Sequence, residues 1–214
     1  SRVNTFVHVN HTADKPRYGV LLCLNGTGIL NSWLKHNTCS IDYPQMNEIA
    51  AKAPVGSDGL AILPFGNGAE RTLENRNLGA SIHGLGFNIH NNSHLLRAGQ
   101  EGIVFALNYG LGIMRGAGVE VKTVRAGHAN MFLSPIFAEA FATVTKSVVE
   151  LYNTDGSQGA ARGAGIGAGL YRDVKDAFAG LKPIKTIEPN KRLQSAYQKA
   201  YDTWEKVLKN ELQK

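Results

Sequence analysis

The stretch from Glu120 to Gly169 constrains the fold most. It reads as a strand from Val121 to Val124, the small-residue turn Ala126-Gly127-His128-Ala129, a helix from about Asn130 to Thr145, a strand from Ser147 to Tyr152, and then a slim helix from Gly159 to Gly169 that is almost wholly glycine and alanine. Alternating strands and helices predict an α/β domain, a mixed sheet flanked by helices. In open α/β sheets, ligands bind outside the carboxyl ends of the strands, where turns without bulky side chains let backbone N–H groups approach. A nucleotide-sized ligand is therefore the first class to consider. The glycines also have a packing explanation. Gly159, Gly163 and Gly167 at four-residue spacing let a helix lie against a neighbour, and packing is the role expected of Gly163 and Gly167. Gly159, near the helix start where N–H groups are free, is expected to face a ligand.

Two better-known motifs fail here. A dinucleotide fingerprint needs its glycines directly after a strand, and Gly163-Ala164-Gly165 lies too far along. Asp155-Gly156-Ser157-Gln158-Gly159 has aspartate where a nucleophile elbow needs its first glycine.

With 214 residues, 43% of them hydrophobic, the chain is long enough to bury a core as one domain. It has no apolar run of about 18 residues and no signal-peptide pattern before the first strand, so a soluble, cytoplasmic protein without a membrane partner is expected. Cys23 and Cys39 show neither CxxC spacing nor a histidine cluster, which argues against zinc or a disulfide framework. The net charge of +6 would suit anionic partners. Lys and Arg concentrate on the face of the last helix without interleaved aromatic rings, so a solvated surface is expected rather than nucleic acid.

Elsewhere the pattern predicts an opening hairpin, Val3 to His11 (with Val9 in its alternation) and Tyr18 to Leu24, joined through Asp14-Lys15-Pro16-Arg17. Ile29, Leu30, Trp33 and Leu34 mark one helix face, and Met46, Ile49 and Ala50 another after Pro44. Strands follow at Leu60 to Phe65 and Ala80 to Leu85, with the polar loop Gly66 to Gly79 between them carrying Glu70 and Arg71. A long helix capped by Asn92 or Ser93 runs to Gly116 or Gly118. His90 and His94 straddle its start, where capping or surface roles are expected rather than metal binding. A short helix near Val174, a strand Pro183 to Ile187, and a helix capped by Asn190 and running to about Leu212 complete the chain.

Several stretches together resemble a known family. Gly68-Ala69-Glu70-Arg71, the strand Ala80-Ser81-Ile82-His83-Gly84-Leu85, the helix His94-Leu95-Leu96-Arg97-Ala98-Gly99-Gln100-Glu101-Gly102, the turn Ala126 to Asn130, and Gly159-Ala160-Ala161-Arg162-Gly163-Ala164 are similar in order and content to the C-terminal domain of the FGGY carbohydrate kinases, in their pentulose-kinase branch. The sequence departs from the family at Gly99, where small or aliphatic residues are usual, and at Gln100, where apolar ones are.

The resemblance implies an actin-like ATPase (ribonuclease-H-like) fold, with residues 1–214 forming a single C-terminal, nucleotide-binding domain. It implies ATP or ADP near Ala126, Gly127, His128, Asn130 and Gly159, and Glu70 and Arg71 lining the cleft. The catalytic base, the aspartate that mainly holds Mg²⁺, and the sugar contacts would belong to an N-terminal domain absent from this chain, which alone would be inactive. The intact protein would phosphorylate a hydroxyl of a pentulose and leaves room for a homodimer. A catalytically silent binding or regulatory module of the same fold is the alternative.

Overall fold

A computed structural model describes residues 2–8, 10–38 and 41–214. Val9 and Cys39, which entered the sequence reading, lie outside the described residues.

The molecule is built around one helix, α3 (Asn92–Gly116), 25 residues long. Asn91 caps it, accepting from Ser93 N, and His94 at the third position reaches back toward Asn91 N, so the start predicted from sequence is one residue early in the structure. Leu96, Ile103, Val104 and Ala106 are fully buried along its inner faces. Ala117 ends it, followed by Gly118 in the left-handed region.

Several elements pack on α3. The hairpin β3 (Ala61–Phe65) and β4 (Gly79–His83) is antiparallel, with every residue of β3 buried. Helix α1 (Thr27–Thr38) contributes Leu30 and Leu34, whereas Ile29 and Trp33, expected on the same buried face, are more than half exposed. Helix α2 (Tyr43–Ala50) begins at Asp42 with a full capping box through Gln45, and Pro44 stands in its first turn. Helix α7 (Gln194–Gln213) closes the far side with Tyr197, Trp204 and Leu208, and the Trp204 indole N–H donates to Ile62 O at 2.8 Å. Asn190 does not cap α7. Its side chain instead accepts from Arg192 N, and the helix proper starts four residues later.

Beyond this body lies the unit predicted from Glu120 onward. Strand β5 (Thr123–Gly127) runs parallel to β6 (Val148–Tyr152), the two joined through helix α4 (Pro135–Thr145), and β7 (Pro183–Ile187) pairs antiparallel with β6. Helix α5 (Gly156–Gly167) and the short α6 (Val174–Ala177) connect β6 to β7. The N-terminal β1 (Asn4–Val7) and β2 (Tyr18–Leu21) form a separate, largely exposed hairpin. Among the described residues the strands fall into three small sheets, and the β5-β6-β7 sheet is mixed. Among the described residues, no helix is long and apolar enough to cross a membrane.

A buried polar cluster ties parts of the body around α3 together. Arg97 donates to Glu101 at 2.7 Å, to Ala53 O and to the Tyr197 hydroxyl, while Glu101 also accepts from Gly56 N. Burial pushes the Glu101 carboxyl up, and the Arg97 guanidinium acts against that. Breaking such a pair would leave one buried charge uncompensated.

Candidate functional site

The carboxyl ends of β5 and β6 lie side by side, with Gly127 opposite Tyr152. This register moves β5 two residues later than the sequence pattern predicts. Ala126 and Gly127 are therefore the last residues of the strand rather than the turn, which starts at His128, whose N–H donates to Tyr152 O at 2.8 Å. Ala129 N–H turns back onto Gly127 O. Asn130 follows in the left-handed region (φ 52°) and opens a single 3₁₀ turn, Asn130–Leu133.

The helix expected from Asn130 begins only at Pro135. Proline at the first helical position has no N–H to leave unpaired, and the Ser134 hydroxyl accepts from Phe137 N at 3.3 Å as the cap. The Ser-Pro pair was the available signal for that boundary. As a result His128 and Asn130 sit on an exposed turn outside the strand ends.

Helix α5 starts beside that turn. A Cβ on Gly127 would lie 2.3 Å from Thr154 O and 3.4 Å from Asp155 Cα, so the β5 end and the α5 entry touch backbone to backbone. The bareness of Gly127 is taken up by this contact, and any side chain there would push the two loops apart before a ligand arrived. Asp155 is the α5 cap, accepting from Gln158 N at 2.9 Å and from the Ser157 hydroxyl at 2.6 Å. Those two bonds hold its carboxyl below the ordinary aspartate range. An ionised carboxylate therefore stands at the α5 N-terminus.

Two expectations about α5 are corrected here. Gly163 and Gly167 do not pack: a Cβ at Gly156, Gly159, Gly163 or Gly167 would meet nothing within 4 Å. The close contact falls instead on Gly165, where a Cβ would lie 2.7 Å from the Tyr171 ring. The N–H of Gly159 is not free either, since it donates to Asp155 O at 3.2 Å, and what Gly159 offers is a bare Cα facing open space. With a 3.6-residue period, Gly159, Gly163 and Gly167 fall on one open stripe of the helix.

Glu70 and Arg71 are not brought to this place. Glu70 is fully buried, and its carboxylate accepts from Asn25 N at 2.9 Å and Gly26 N at 3.2 Å, clamping the turn between β2 and α1. Burial pushes its pKa up, opposed by those two N–H groups. Arg71 donates to the Asn4 side chain at 2.7 Å. The cleft-lining role implied for the pair is thus replaced, for Glu70, by structural hydrogen bonding. A charged residue in a glycine-bearing loop gives no sign in the sequence that its partners are backbone N–H groups.

No family model matches the chain. It is 32% identical over 192 residues to the xylulose kinase of Haemophilus influenzae, an alignment covering 86% of this chain and 38% of that protein. The structure superposes with a TM-score of 0.78 on the gluconate kinase of Lactobacillus acidophilus at 22% identity, over 94% of this chain and 41% of that one. A Plasmodium falciparum glycerol kinase determined with ADP matches with a TM-score of 0.75 at 24% identity, over 98% of this chain and 42% of the other. The fold is accordingly the actin-like ATPase fold in the form that FGGY sugar kinases carry. Within that class the chain resembles the C-terminal part of the xylulose kinases, and it spans about two fifths of the length of the curated relatives it matches.

Proposed function

We propose that this chain is the nucleotide-binding half of an ATP-dependent sugar kinase, and that the longer protein transfers a phosphoryl group to a hydroxyl of a pentulose such as xylulose. The carrying observation is the open stripe Gly159, Gly163 and Gly167 on α5, set beside the exposed turn His128 to Asn130 at the carboxyl ends of two parallel strands. A flat heterocycle and its ribose fit against bare backbone of this kind, with the Asn130 amide able to donate to and accept from a base edge. The His128 ring supplies a second face.

The ionised Asp155 gives the bound molecule a direction. A carboxylate at the α5 N-terminus already occupies the place where that helix would draw an anion. The nucleoside end therefore lies along α5, and the phosphates point away from it.

ATP used by a sugar kinase arrives with Mg²⁺, which neutralises phosphate charge as it develops. Among the described residues no three His, Cys, Asp or Glu side chains gather as a metal site. On this reading the base that takes the sugar hydroxyl's proton and the main metal carboxylate lie on the part of the longer protein that this chain does not span.

The test compares the 214-residue chain with the longer protein. The chain should bind ADP weakly, with amide shifts confined to residues 127–134 and 155–167, and show no xylulose-stimulated ATP hydrolysis. The longer protein should turn over. Turnover by the chain alone, or ADP shifts centred elsewhere, would contradict the assignment.

A further inference from the structure

A buried polar chain leads from the body of the molecule to the turn that carries Asn130. Gln100, on α3, is 1% exposed. Its Nε2 donates to Asn47 Oδ1 on α2 at 2.8 Å, and its Oε1 accepts from the Ser134 hydroxyl at 2.7 Å. Ser134 is itself buried and stands at a junction. Its N–H donates to Met131 O at 3.0 Å and closes the Asn130–Leu133 turn, while its hydroxyl oxygen accepts from Phe137 N and begins α4.

The proton inventory leaves little freedom. A serine hydroxyl has one proton, and with Phe137 N–H on a lone pair that proton goes to Gln100. The glutamine amide is then oriented oxygen toward Ser134 and nitrogen toward Asn47. The opposite end of the segment is held by His128 N–H on Tyr152 O. Residues 128–134 are thus fastened at both ends, once to β6 and once, through Gln100, to α2 and α3.

We infer that Gln100 is a positioning residue for the nucleotide: it fixes Ser134 against the rigid helical body, and so holds the left-handed Asn130 in place to meet the base. The inference rests on the nucleotide reading of the His128–Asn130 turn. An apolar side chain at 100 would fill the volume but leave the half-buried Asn47 side chain without its donor and the buried Ser134 hydroxyl without its acceptor, a costly state for a buried group.

Gln100→Met, close in shape and without the amide, tests this on the 214-residue chain by amide hydrogen exchange and by ADP titration followed through amide shifts. Losing the buried Ser134–Gln100 bond, together with the Gln100–Asn47 bond that orients the amide, should speed exchange of Met131 to Ala138 about tenfold and weaken ADP by about the same factor, with β3 and α7 exchanging as in the unsubstituted chain. Unchanged exchange in 131–138, or an equal acceleration in every element, would overturn the inference, because a merely structural glutamine predicts the latter. Selective acceleration in a chain that never binds ADP would support the clamp and sink the nucleotide reading instead. If Gln100→Met does not fold, Asn47→Ala keeps the Gln100–Ser134 bond while freeing the amide. It should raise exchange in the same segment by a smaller factor, about threefold, and no rise there would overturn the clamp.

Discussion

Helices α3 and α5 are both rich in glycine, and Gly99, Gly102 and Gly110 of α3 and the Gly159-Gly163-Gly167 stripe of α5 use it in opposite ways. On α3 a Cβ at Gly99 would lie 2.3 Å from Leu34 Cδ1, at Gly102 2.3 Å from Ile62 O, and at Gly110 2.6 Å from Leu22 Cδ2. These glycines let α1, β3 and the segment after β2 press directly on the helix axis, so α3 can be the centre of the core. On α5, Gly156, Gly159, Gly163 and Gly167 touch nothing. Glycine inside a helix costs stability relative to alanine. At Gly99, Gly102 and Gly110 of α3, and at Gly165 of α5, that cost is offset by packing, whereas Gly159, Gly163 and Gly167 form one stripe that nothing within the chain packs against, which is the physical reason to look for something outside the chain that does.

The largest effect should come from Gly102→Ala. Its added methyl would meet a backbone carbonyl that cannot rotate aside, and overpacking of this kind costs about 3 kcal/mol. For a chain of this length that corresponds to a fall in melting temperature of roughly 10 °C. A thermal melt that hardly moves would mean that α3 and β3 separate easily, and the contrast between the helices would lose its first half.

At the other end of the scale stands Gly163→Ala. With open space beyond the Cα, the methyl should fit and the helix should gain about 0.5 to 1 kcal/mol from the lower backbone entropy of alanine. Chemical denaturation resolves a gain of that size. A loss of stability would show that Gly163 has a packing partner after all.

That reversal marks where the sequence could and could not be read. The periodic apolar stripe of α3, the strand Pro183–Ile187 and the strand, helix, strand order of β5, α4 and β6 carry local signals, and the structure has them, whereas the α3 cap is Asn91 and not the expected Asn92 or Ser93. Gly163 and Gly167 were expected to pack because four-residue spacing is the same whether a helix meets a neighbour or empty space, and only the three-dimensional surroundings distinguish the two. The start of α4 was placed too early because Asn130 can be helical or left-handed, and the choice is made by Ser134 and Pro135 further on. Gln100 looked like a misfit in an apolar position, since its partners are 53 residues before it and 34 after it. Glu70 was expected to line the cleft because the two N–H groups that hold it belong to a distant turn.

The central claim, that the bare stripe of α5 receives the nucleoside, is tested most directly by Gly159→Leu, with folding and ADP binding measured on the same sample. The side chain would project into open space beside the β5 turn, so the melting temperature should stay within a few degrees of the unsubstituted chain, the scale of a change below about 1 kcal/mol. The ADP-dependent amide shifts at residues 127–134 should disappear. A variant that folds as well as the parent and still binds ADP with the same affinity would contradict the account.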